Sequence, residues 1–210
     1  MTEQIANQNQ ITPIVQDELI LVVKRTHLFP DKQGWHGIKT DGIETLVETI
    51  KTHHEFMPRS IAETDDRYKQ IIPYAVFRHQ DRYFLMLRKG NATEQRLKSK
   101  YTLGIGGHMR SEDMSGSSIF DWAIREFHEE VTFDGTLTHT LLGIINDDSN
   151  EVGRVHMGLV LLFDGDSSNI SIRSELQDGF LVKLDECELY MLQMESWASM
   201  VFNHLQQSRV

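Results

Sequence analysis

The sequence predicts an α/β fold in which a mixed β-sheet lies between helices. Two observations lead to this prediction. Several apolar runs have the length and composition of buried strands, and two longer segments, residues 119–131 and 184–205, carry apolar residues at helical spacing. Along the chain these elements occur in the order strands, helix, strands, helix, which is typical of a sheet covered by helices on both faces.

Composition narrows the possible functions. The 210 residues are enough for one domain of ordinary size with an appendage. The formal net charge of −10 argues against a general nucleic-acid-binding surface and against binding to an anionic membrane. A polyanionic substrate would therefore need a local metal ion or a basic pocket.

The cysteine content and the polar N-terminal residues bear on the cellular compartment of the protein. Cys187 is the single cysteine, so it cannot form an internal disulfide, and a lone thiol fits a reducing compartment. The first ten residues are polar, and no apolar run approaches the ~20 residues of a membrane span. We therefore expect a cytoplasmic protein that does not bind membranes.

The N-terminal third differs in character from the rest of the chain. Residues 1–16 are rich in Gln, Asn and Thr and predict a flexible polar tail. Residues 17–69 contain too few residues to fold alone, so we expect an N-terminal strand–helix extension packed on a core domain of residues 70–210. This extension is either a lid or a contact in a homodimer.

Within the extension, residues 18–24 predict a strand and residues 42–53 predict a helix. Asp41 is the expected N-cap of that helix, with Glu44 completing a capping box. The basic and aromatic loop 25–37 has two interpretations, a surface loop anchored by its aromatic residues or a site that grips a phosphate and stacks on a base.

The first strands of the core follow a polar connector, residues 59–69. Residues 71–78 and 82–88 predict two strands of a hairpin. The basic residues after this hairpin, which form either a phosphate-attracting patch or a solvated loop, are Arg88, Lys89, Arg96, Lys98 and Lys100.

The second half of the core contains more strands and a helical end. Residues 137–146 and 154–163 predict long strands separated by a polar turn. Two shorter runs, 170–172 and 180–182, predict edge strands, and residues 184–205 predict one or two helices. His156 lies within a predicted strand and is expected to be a core or sheet histidine.

The amphipathic helix of residues 119–131 carries an unusual acidic face. Glu126, Glu129 and Glu130 stand at i, i+3 and i+4, so they share one side of the helix. They also lie near its C-terminal end, where the helix dipole disfavours negative charge. A hard divalent cation such as Mg²⁺ or Mn²⁺ would resolve this conflict, because it prefers oxygen ligands. The alternative is a solvated acidic face. The candidates for the N-cap of this helix are Ser115, Ser117 and Ser118.

The segment before this helix suggests a ligand loop. Gly106 and Gly107 follow an apolar run, residues 101–105, that predicts a strand. Glycine at that position permits close approach of the main chain to a ligand. The order strand, glycine turn, irregular loop, acidic helix therefore favours a binding site.

This stretch resembles the box of the Nudix hydrolase family. That box consists of Gly, five residues, Glu, seven residues, Arg-Glu-apolar-any-Glu-Glu, any residue, Gly and an apolar residue. Residues 125–130, Arg-Glu-Phe-His-Glu-Glu, match its second half without a gap. Gly106 with Glu112, or Gly107 with Asp113, matches its first half.

The match has two departures. Twelve residues separate Glu112 from Arg125 where the family has seven, so the loop is longer. The glycine after the box is replaced by Thr132. A β-branched residue ends a helix poorly in the left-handed conformation that glycine adopts, so we expect the helix to continue toward residues 134–135.

The resemblance implies a Nudix-like α/β/α sandwich and a metal-dependent hydrolase. It would cleave a phosphoanhydride (pyrophosphate) bond in a nucleoside diphosphate-linked or related phosphorylated small molecule. By position in the box, Glu126, Glu129, Glu130 and the main-chain carbonyl of Gly106 would bind Mg²⁺ or Mn²⁺.

The resemblance also assigns roles outside the metal ligands. Arg125 would pin the loop by pairing with its acidic residue, Glu112 or Asp113. The general base would be one of the helix carboxylates or a residue of a later loop, for which Glu151 and Glu175 are the candidates.

Two alternatives remain open. An isomerase built on the same fold resembles isopentenyl-diphosphate isomerase, which uses a cysteine before the box, whereas Cys187 lies far after it. A catalytically weak Nudix domain could instead act as a nucleotide-ligand sensor or partner-binding module. The intact glutamates argue against this second alternative, and the longer loop argues for it.

Overall fold

A computed structural model describes residues 17–89, 99–114, 118–173 and 176–208, without the side chains of Asp113 and Met114. Several predicted features lie outside the described residues: the tail 1–16, Arg96, Lys98, Ser115, Ser117 and Glu175.

The described strands are β1 (Leu19–Lys24), β2 (Gly37–Lys39), β3 (His54–Pro58), β4 (Tyr68–His79), β5 (Arg82–Arg88), β6 (Tyr101–Thr102), β7 (Gly104–Gly106), β8 (Val131–Phe133), β9 (Leu137–Asn146), β10 (His156–Gly165), β11 (Ile170–Ile172) and β12 (Leu176–Lys183). The α-helices are α1 (Arg25–Leu28), α2 (Ile43–His53), α3 (Arg59–Ala62), α4 (Ile119–Glu130), α5 (Glu151–Val155) and α6 (Ser196–Gln207). Two 3₁₀ helices span Ser111–Met114 and Glu186–Gln193.

Ten of these strands form one mixed sheet. Its main path runs β12-β5-β4-β10-β9-β2, and β1, β3, β6 and β7 pair beside this path. β4 and β10 are parallel, with Tyr74 opposite Val160. β9 and β10 are antiparallel. A second, two-stranded sheet joins β8 and β11. The predicted mixed sheet is therefore confirmed.

The central strand β4 shows why helices cover both faces of the sheet. Successive residues of a strand point to opposite faces. Tyr74 and Val76 pack in the hydrophobic cluster that contains residues of α6. Ala75 and Phe77 pack in the cluster that contains residues of α4. The predicted α/β/α sandwich is confirmed, with α4 on one face and α6 on the other.

The N-terminal segment contributes strands to the same sheet. β1 pairs with β4, placing Val22 opposite Gln70, and β2 pairs with β9, placing Ile38 opposite Ile145. β4 itself begins at Tyr68. The division between an extension and a core at residue 70 remains a prediction.

The acidic helix ends earlier than expected. α4 stops at Glu130, and Val131 adopts an extended conformation with φ −131° and ψ 155°. Val131 and Thr132 are β-branched and favour a strand, and β8 pairs with β11 from Val131 onward. The predicted continuation toward residues 134–135 is wrong.

The N-terminus of α2 also differs from expectation. The helix begins at Ile43, and Gly42 occupies the N-cap at φ +67° without a side-chain capping bond. Asp41 is therefore not the cap, because a left-handed glycine turns the chain into the helix one residue later. The polar connector before β4 also contains α3, which the sequence pattern did not predict.

The predicted strand 101–105 is divided in two. β6 pairs with β5, whereas β7 pairs with β4. At Gly104 a Cβ atom would lie 2.2 Å from the Tyr74 ring, so only glycine fits against that side chain. This close approach brings the glycine turn onto the central strand.

In the described part of the chain, none of the helices has the length and apolarity that crossing a membrane requires. The cytoplasmic location remains a prediction.

Candidate active site

The acidic helix α4 begins at a capping box. The Asp121 amide donates to Ser118 Oγ at 3.3 Å, and the Ser118 amide donates to Asp121 Oδ2 at 2.7 Å. Ser118 is thus the cap among the three predicted serines. The apolar side of α4 is buried through Trp122, Ala123 and Phe127. Burying this side directs the glutamates away from the hydrophobic core.

The three glutamates of the predicted metal site meet in one pocket. Glu126, Glu129 and Glu130 all line a cavity of about 420 Å³, together with Gly106 and Gly107. A cavity of this size fits a small molecule. The acidic face of α4 therefore lines a pocket and is not only a solvated surface.

Gly107 fits closely against Glu126. A Cβ atom at Gly107 would lie 1.9 Å from Glu126 Oε2, and a side chain there would displace the carboxylate. At Gly106 a Cβ atom would lie 2.9 Å from Ile72 Cγ2 and 3.1 Å from the Pro73 carbonyl oxygen. The two glycines therefore let the main chain lie between β4 and the glutamates.

Arg125 connects two of the three glutamates. Its Nη2 lies 2.7 Å from Glu126 Oε1, and its Nη1 donates to Glu129 Oε1 at 2.6 Å. The pKa of Glu126 is raised because burial disfavours the charged carboxylate, and the nearby negative charge of Glu129 raises it further, against the opposing effect of Arg125. The three glutamates of α4 thus carry more negative charge than Arg125 alone compensates.

Of the two loop residues expected to pair with Arg125, only Glu112 has a described side chain. Glu112 lies beside Arg110, with 3.5 Å between Oε1 and Nε, and its side chain is 73% exposed. The Asp113 side chain lies outside the described part. Pinning of the loop by Arg125 remains a prediction for either residue.

Arginines supply positive charge around the same pocket. Arg59, Arg88 and Arg110 line it. Arg88 donates from Nε to Glu195 Oε2 at 2.9 Å, and this carboxylate raises the pKa of Arg88. Arg88, the last residue of the predicted hairpin, therefore faces the pocket.

Glu195 is a buried member of the site that sequence reasoning missed. Its Oε1 accepts hydrogen bonds from Tyr74 Oη at 3.1 Å and from Thr102 Oγ1 at 2.5 Å. Burial and the Glu195 charge raise the pKa of Tyr74 well above its usual value, so the phenol stays a donor. A lone glutamate just before α6 carries no local sequence signal for this role.

Of the two predicted general-base candidates, only Glu151 belongs to the described residues. Glu151 is exposed at the start of α5. Its neighbours Asn150 and Val152 line the pocket, whereas Glu151 is not among the described lining residues. Glu175 lies outside the described part. Both assignments remain predictions.

A second group of side chains with metal-binding potential lines the same pocket. Glu63, His108 and His156 each place one ligand-capable atom within 4.8 Å of the others. His156 belongs to β10 and is 8% exposed, so its expected place in the sheet is correct. Its position at the pocket was not predicted.

Cys187 is not among the described residues that line the pocket. Its side chain is fully buried in the hydrophobic cluster of α6. The alternative of an isomerase that uses a cysteine is therefore not supported.

The chain is similar to several known proteins. It is 34% identical over 154 residues to protein YmaB of Bacillus subtilis (strain 168), covering 69% of this chain and 74% of that protein. The solved structure of Tm1382, a candidate Nudix hydrolase, has 32% identity and a TM-score of 0.76, covering 90% of this chain and 98% of that chain.

A more distant match shows the fold alone. The bifunctional NMN adenylyltransferase/ADP-ribose pyrophosphatase of Francisella tularensis, solved with AMP and a manganese ion, has 18% identity and a TM-score of 0.51. The match covers 67% of this chain and 42% of that chain. No protein-family model matches the chain. The 32% identity to Tm1382 over 90% of this chain, on a shared α/β/α fold, shows that the chain belongs to the Nudix hydrolase family, whose members hydrolyse acid anhydrides.

Proposed function

We propose that the protein hydrolyses a phosphoanhydride bond in a nucleoside diphosphate-linked or related phosphorylated small molecule, with Mg²⁺ or Mn²⁺ as cofactor. The observation that carries this proposal is the convergence of Glu126, Glu129 and Glu130 on one pocket beside Gly106 and Gly107.

The donor set of α4 fits a hard divalent cation. All three side chains offer carboxylate oxygens, which Mg²⁺ and Mn²⁺ prefer. The raised pKa of Glu126 reflects burial and the nearby charge of Glu129, both of which a cation would offset. Glu126, Glu129 and Glu130 would therefore hold the ion, and the carbonyl of Gly106 is a further candidate ligand. When bound, the ion would neutralise phosphate charge and acidify a water molecule.

The arginines of the pocket suit a phosphorylated substrate. Guanidinium groups bind phosphate oxygens through paired, charge-assisted hydrogen bonds. Glu195 orients Arg88, and Arg59 and Arg110 line the same cavity. The pocket lining also contains six glutamates, so these arginines would bind a polyanion together with the metal ion and not alone.

Other groups of the pocket would orient the metal ligands or accept a proton from water. Arg125 holds the carboxylates of Glu126 and Glu129 in fixed orientations. A water proton would pass to an oxygen of this face as the water oxygen bonds to phosphorus and the anhydride oxygen leaves.

The test is a panel of nucleoside triphosphates, ADP-ribose, dinucleoside polyphosphates and nucleotide sugars, each with Mg²⁺ or Mn²⁺ and read out as nucleotide products separated by chromatography. ADP-ribose is included because the fold neighbour from Francisella acts on it. We expect turnover of at least one compound that is abolished by chelator and by Glu129→Gln. Saturable nucleotide binding without turnover across the panel would favour the sensor alternative.

A further inference from the structure

We propose that Glu63, His108 and His156 form a second metal site, which binds one transition-metal ion such as Zn²⁺ in the wall of the substrate pocket. The site shares the pocket with the α4 carboxylates but uses none of them. It is independent of the proposed hydrolysis, because its test measures metal binding and not turnover.

The ligands come together from three parts of the fold. Glu63 follows α3, His108 follows the glycine turn after β7, and His156 begins β10. Their ligand-capable atoms lie within 4.8 Å of one another. Bonds of about 2.0–2.1 Å to a tetrahedral zinc ion place its ligand atoms ~3.4 Å apart. Side-chain movements of about 1 Å would close the group on an ion, and a water or substrate atom would complete the coordination.

Hydrogen bonds determine which ring nitrogen carries the proton in His156 and in His108. His156 Nδ1 lies 2.7 Å from the Val152 carbonyl oxygen, which can only accept, so Nδ1 carries the proton and Nε2 carries the lone pair. His108 Nε2 lies 2.7 Å from Gln70 Oε1, and donation to this oxygen leaves the lone pair on Nδ1. Metal-binding histidines usually donate their second ring nitrogen to a carbonyl or carboxylate in this way.

The electrostatics keep both imidazoles in the form that binds metals. Burial, with a contribution from Arg59, lowers the pKa of His108 to about 3, and burial also lowers the pKa of His156. In the metal-free chain each ring therefore keeps one nitrogen without a proton, which is the arrangement that the hydrogen bonds of His156 and His108 also require.

Arg59 is the charged group that competes with a metal for Glu63. Its Nε lies 3.6 Å from Glu63 Oε1, and both side chains are partly exposed, at 39% and 30%. An exposed pair of this length contributes little, so a bound ion would displace it at small cost. Arg59 also pairs with Glu18 at 3.0 Å, which gives the guanidinium a second partner.

The main chain around His156 is held in place before any metal binds. Lys69, fully buried, donates from Nζ to the Gly153 carbonyl at 2.6 Å, to the His156 carbonyl at 3.1 Å and to Asp148 Oδ1 at 2.7 Å. His156 also stands opposite Gln70 in the parallel β4–β10 pair. The same strand therefore orients both histidines, one through its register and one through the Gln70 side chain.

The two sites should select different ions. Imidazole nitrogen suits zinc, cobalt, nickel and copper, whereas an all-carboxylate set suits magnesium and manganese. We therefore expect excess Mg²⁺ to fill the α4 site and leave the site formed by Glu63, His108 and His156 to Zn²⁺.

The experiment is long-range ¹H–¹⁵N NMR of the full chain labelled with ¹⁵N-histidine, stripped of metal and kept in excess Mg²⁺. Before zinc, we expect His156 protonated on Nδ1 and His108 on Nε2. One equivalent of Zn²⁺ should shift His156 Nε2 and His108 Nδ1 and leave His79 and His128 unchanged. A metal-free His108 protonated on Nδ1, or a zinc shift confined to His128 on α4, would overturn the proposal.

Variants provide an independent measurement of Zn²⁺ affinity by competition with a chromophoric chelator. Glu63→Gln and His156→Gln should each weaken binding more than ~10-fold, because each removes one ligand. His79→Gln is the matched histidine control, and Glu129→Gln tests the other site; both should keep wild-type affinity. If Glu63→Gln keeps full affinity, or Glu129→Gln loses it, the ion lies elsewhere. Glu63→Gln alters a partly exposed side chain and should fold even if His156→Gln does not.

Discussion

Two walls of one pocket are built in different ways. The acidic face of α4 comes from a little more than one helical turn, so its three carboxylates share a side as soon as the helix forms. The group of Glu63, His108 and His156 comes from three segments far apart in the sequence, and only the completed sheet brings it together. The first wall is a property of local structure, and the second is a property of the fold.

Burial acts in opposite directions on the two walls. It raises the pKa of Glu126 and lowers the pKa of His108, because in each case it disfavours the charged form. The charged form of Glu126 is therefore disfavoured without a cation, whereas the neutral form of His108 is favoured. The same desolvation thus prepares one wall for a hard ion and the other for nitrogen coordination.

The largest expected effect concerns the α4 wall. Glu130→Gln should lower turnover on the order of 1000-fold, because it removes one charged ligand where phosphate charge is stabilised. Circular dichroism and the unfolding midpoint should stay close to wild type. Turnover would be measured at saturating Mn²⁺ on the compound identified in the panel. Wild-type turnover in Glu129→Gln/Glu130→Gln would remove the acidic wall from the reaction.

The contact between Gly107 and Glu126 offers a second test of the α4 wall. Gly107→Ala should reduce turnover on the order of 100-fold, because the new Cβ would lie 1.9 Å from Glu126 Oε2 and displace the carboxylate. Urea unfolding supplies the control. Gly107→Ala should destabilise the wild type more than it destabilises a Glu126→Ala background, where the clash is absent. Equal losses in the two backgrounds would argue against this contact.

The hydrogen bonds that Lys69 donates to the main chain around His156 should stabilise the fold. Lys69→Met should lower the free energy of unfolding by about 3 kcal/mol, because it leaves two buried carbonyl oxygens without their donor and leaves Asp148 with Arg25 as its ion-pair partner. Lys51→Met, at an exposed lysine of α2, is the matched control and should change it by less than ~0.5 kcal/mol. Equal effects in the two variants would contradict the structural role of Lys69.

The smallest expected effect is a pH dependence that separates the two walls. The pKa of His108 is about 3 in the folded chain against an ordinary 6.5, so the unfolded state binds more protons between these values. Its contribution to stability should therefore fall as the pH drops below 6.5, by at most about 1.4 kcal/mol per pH unit. The raised pKa of Glu126 acts in the other direction, so its contribution falls as the pH rises through the carboxylate range.

Urea unfolding between pH 4.5 and 7 in chelator would measure these slopes. His108→Gln should flatten the loss of stability on acidification, whereas Glu126→Gln should not. An unchanged slope in His108→Gln would mean that this imidazole is not held neutral by the fold.

Much of the fold could be predicted because its signals are local. The predicted strand 137–146 has the same bounds as β9, and the predicted helix of residues 119–131 differs from α4 by one residue. Apolar runs and helical spacing determine such elements within a few residues of chain. At Asp41 the prediction was wrong because the neighbouring Gly42 occupies the N-cap, and the continuation of α4 was wrong because the chain pairs as β8 with β11 instead.

The sequence by itself determined the long strands, the acidic helix and the Nudix resemblance, because each depends on residues that are neighbours in the chain or one helical turn apart. Only the tertiary structure decided that Glu195 would orient Arg88, that Lys69 would hold the main chain of His156, and that Glu63 would meet two histidines. The physical reason is that these groups meet through strand pairing and desolvation, which depend on the whole sheet and leave no pattern in a short stretch of sequence.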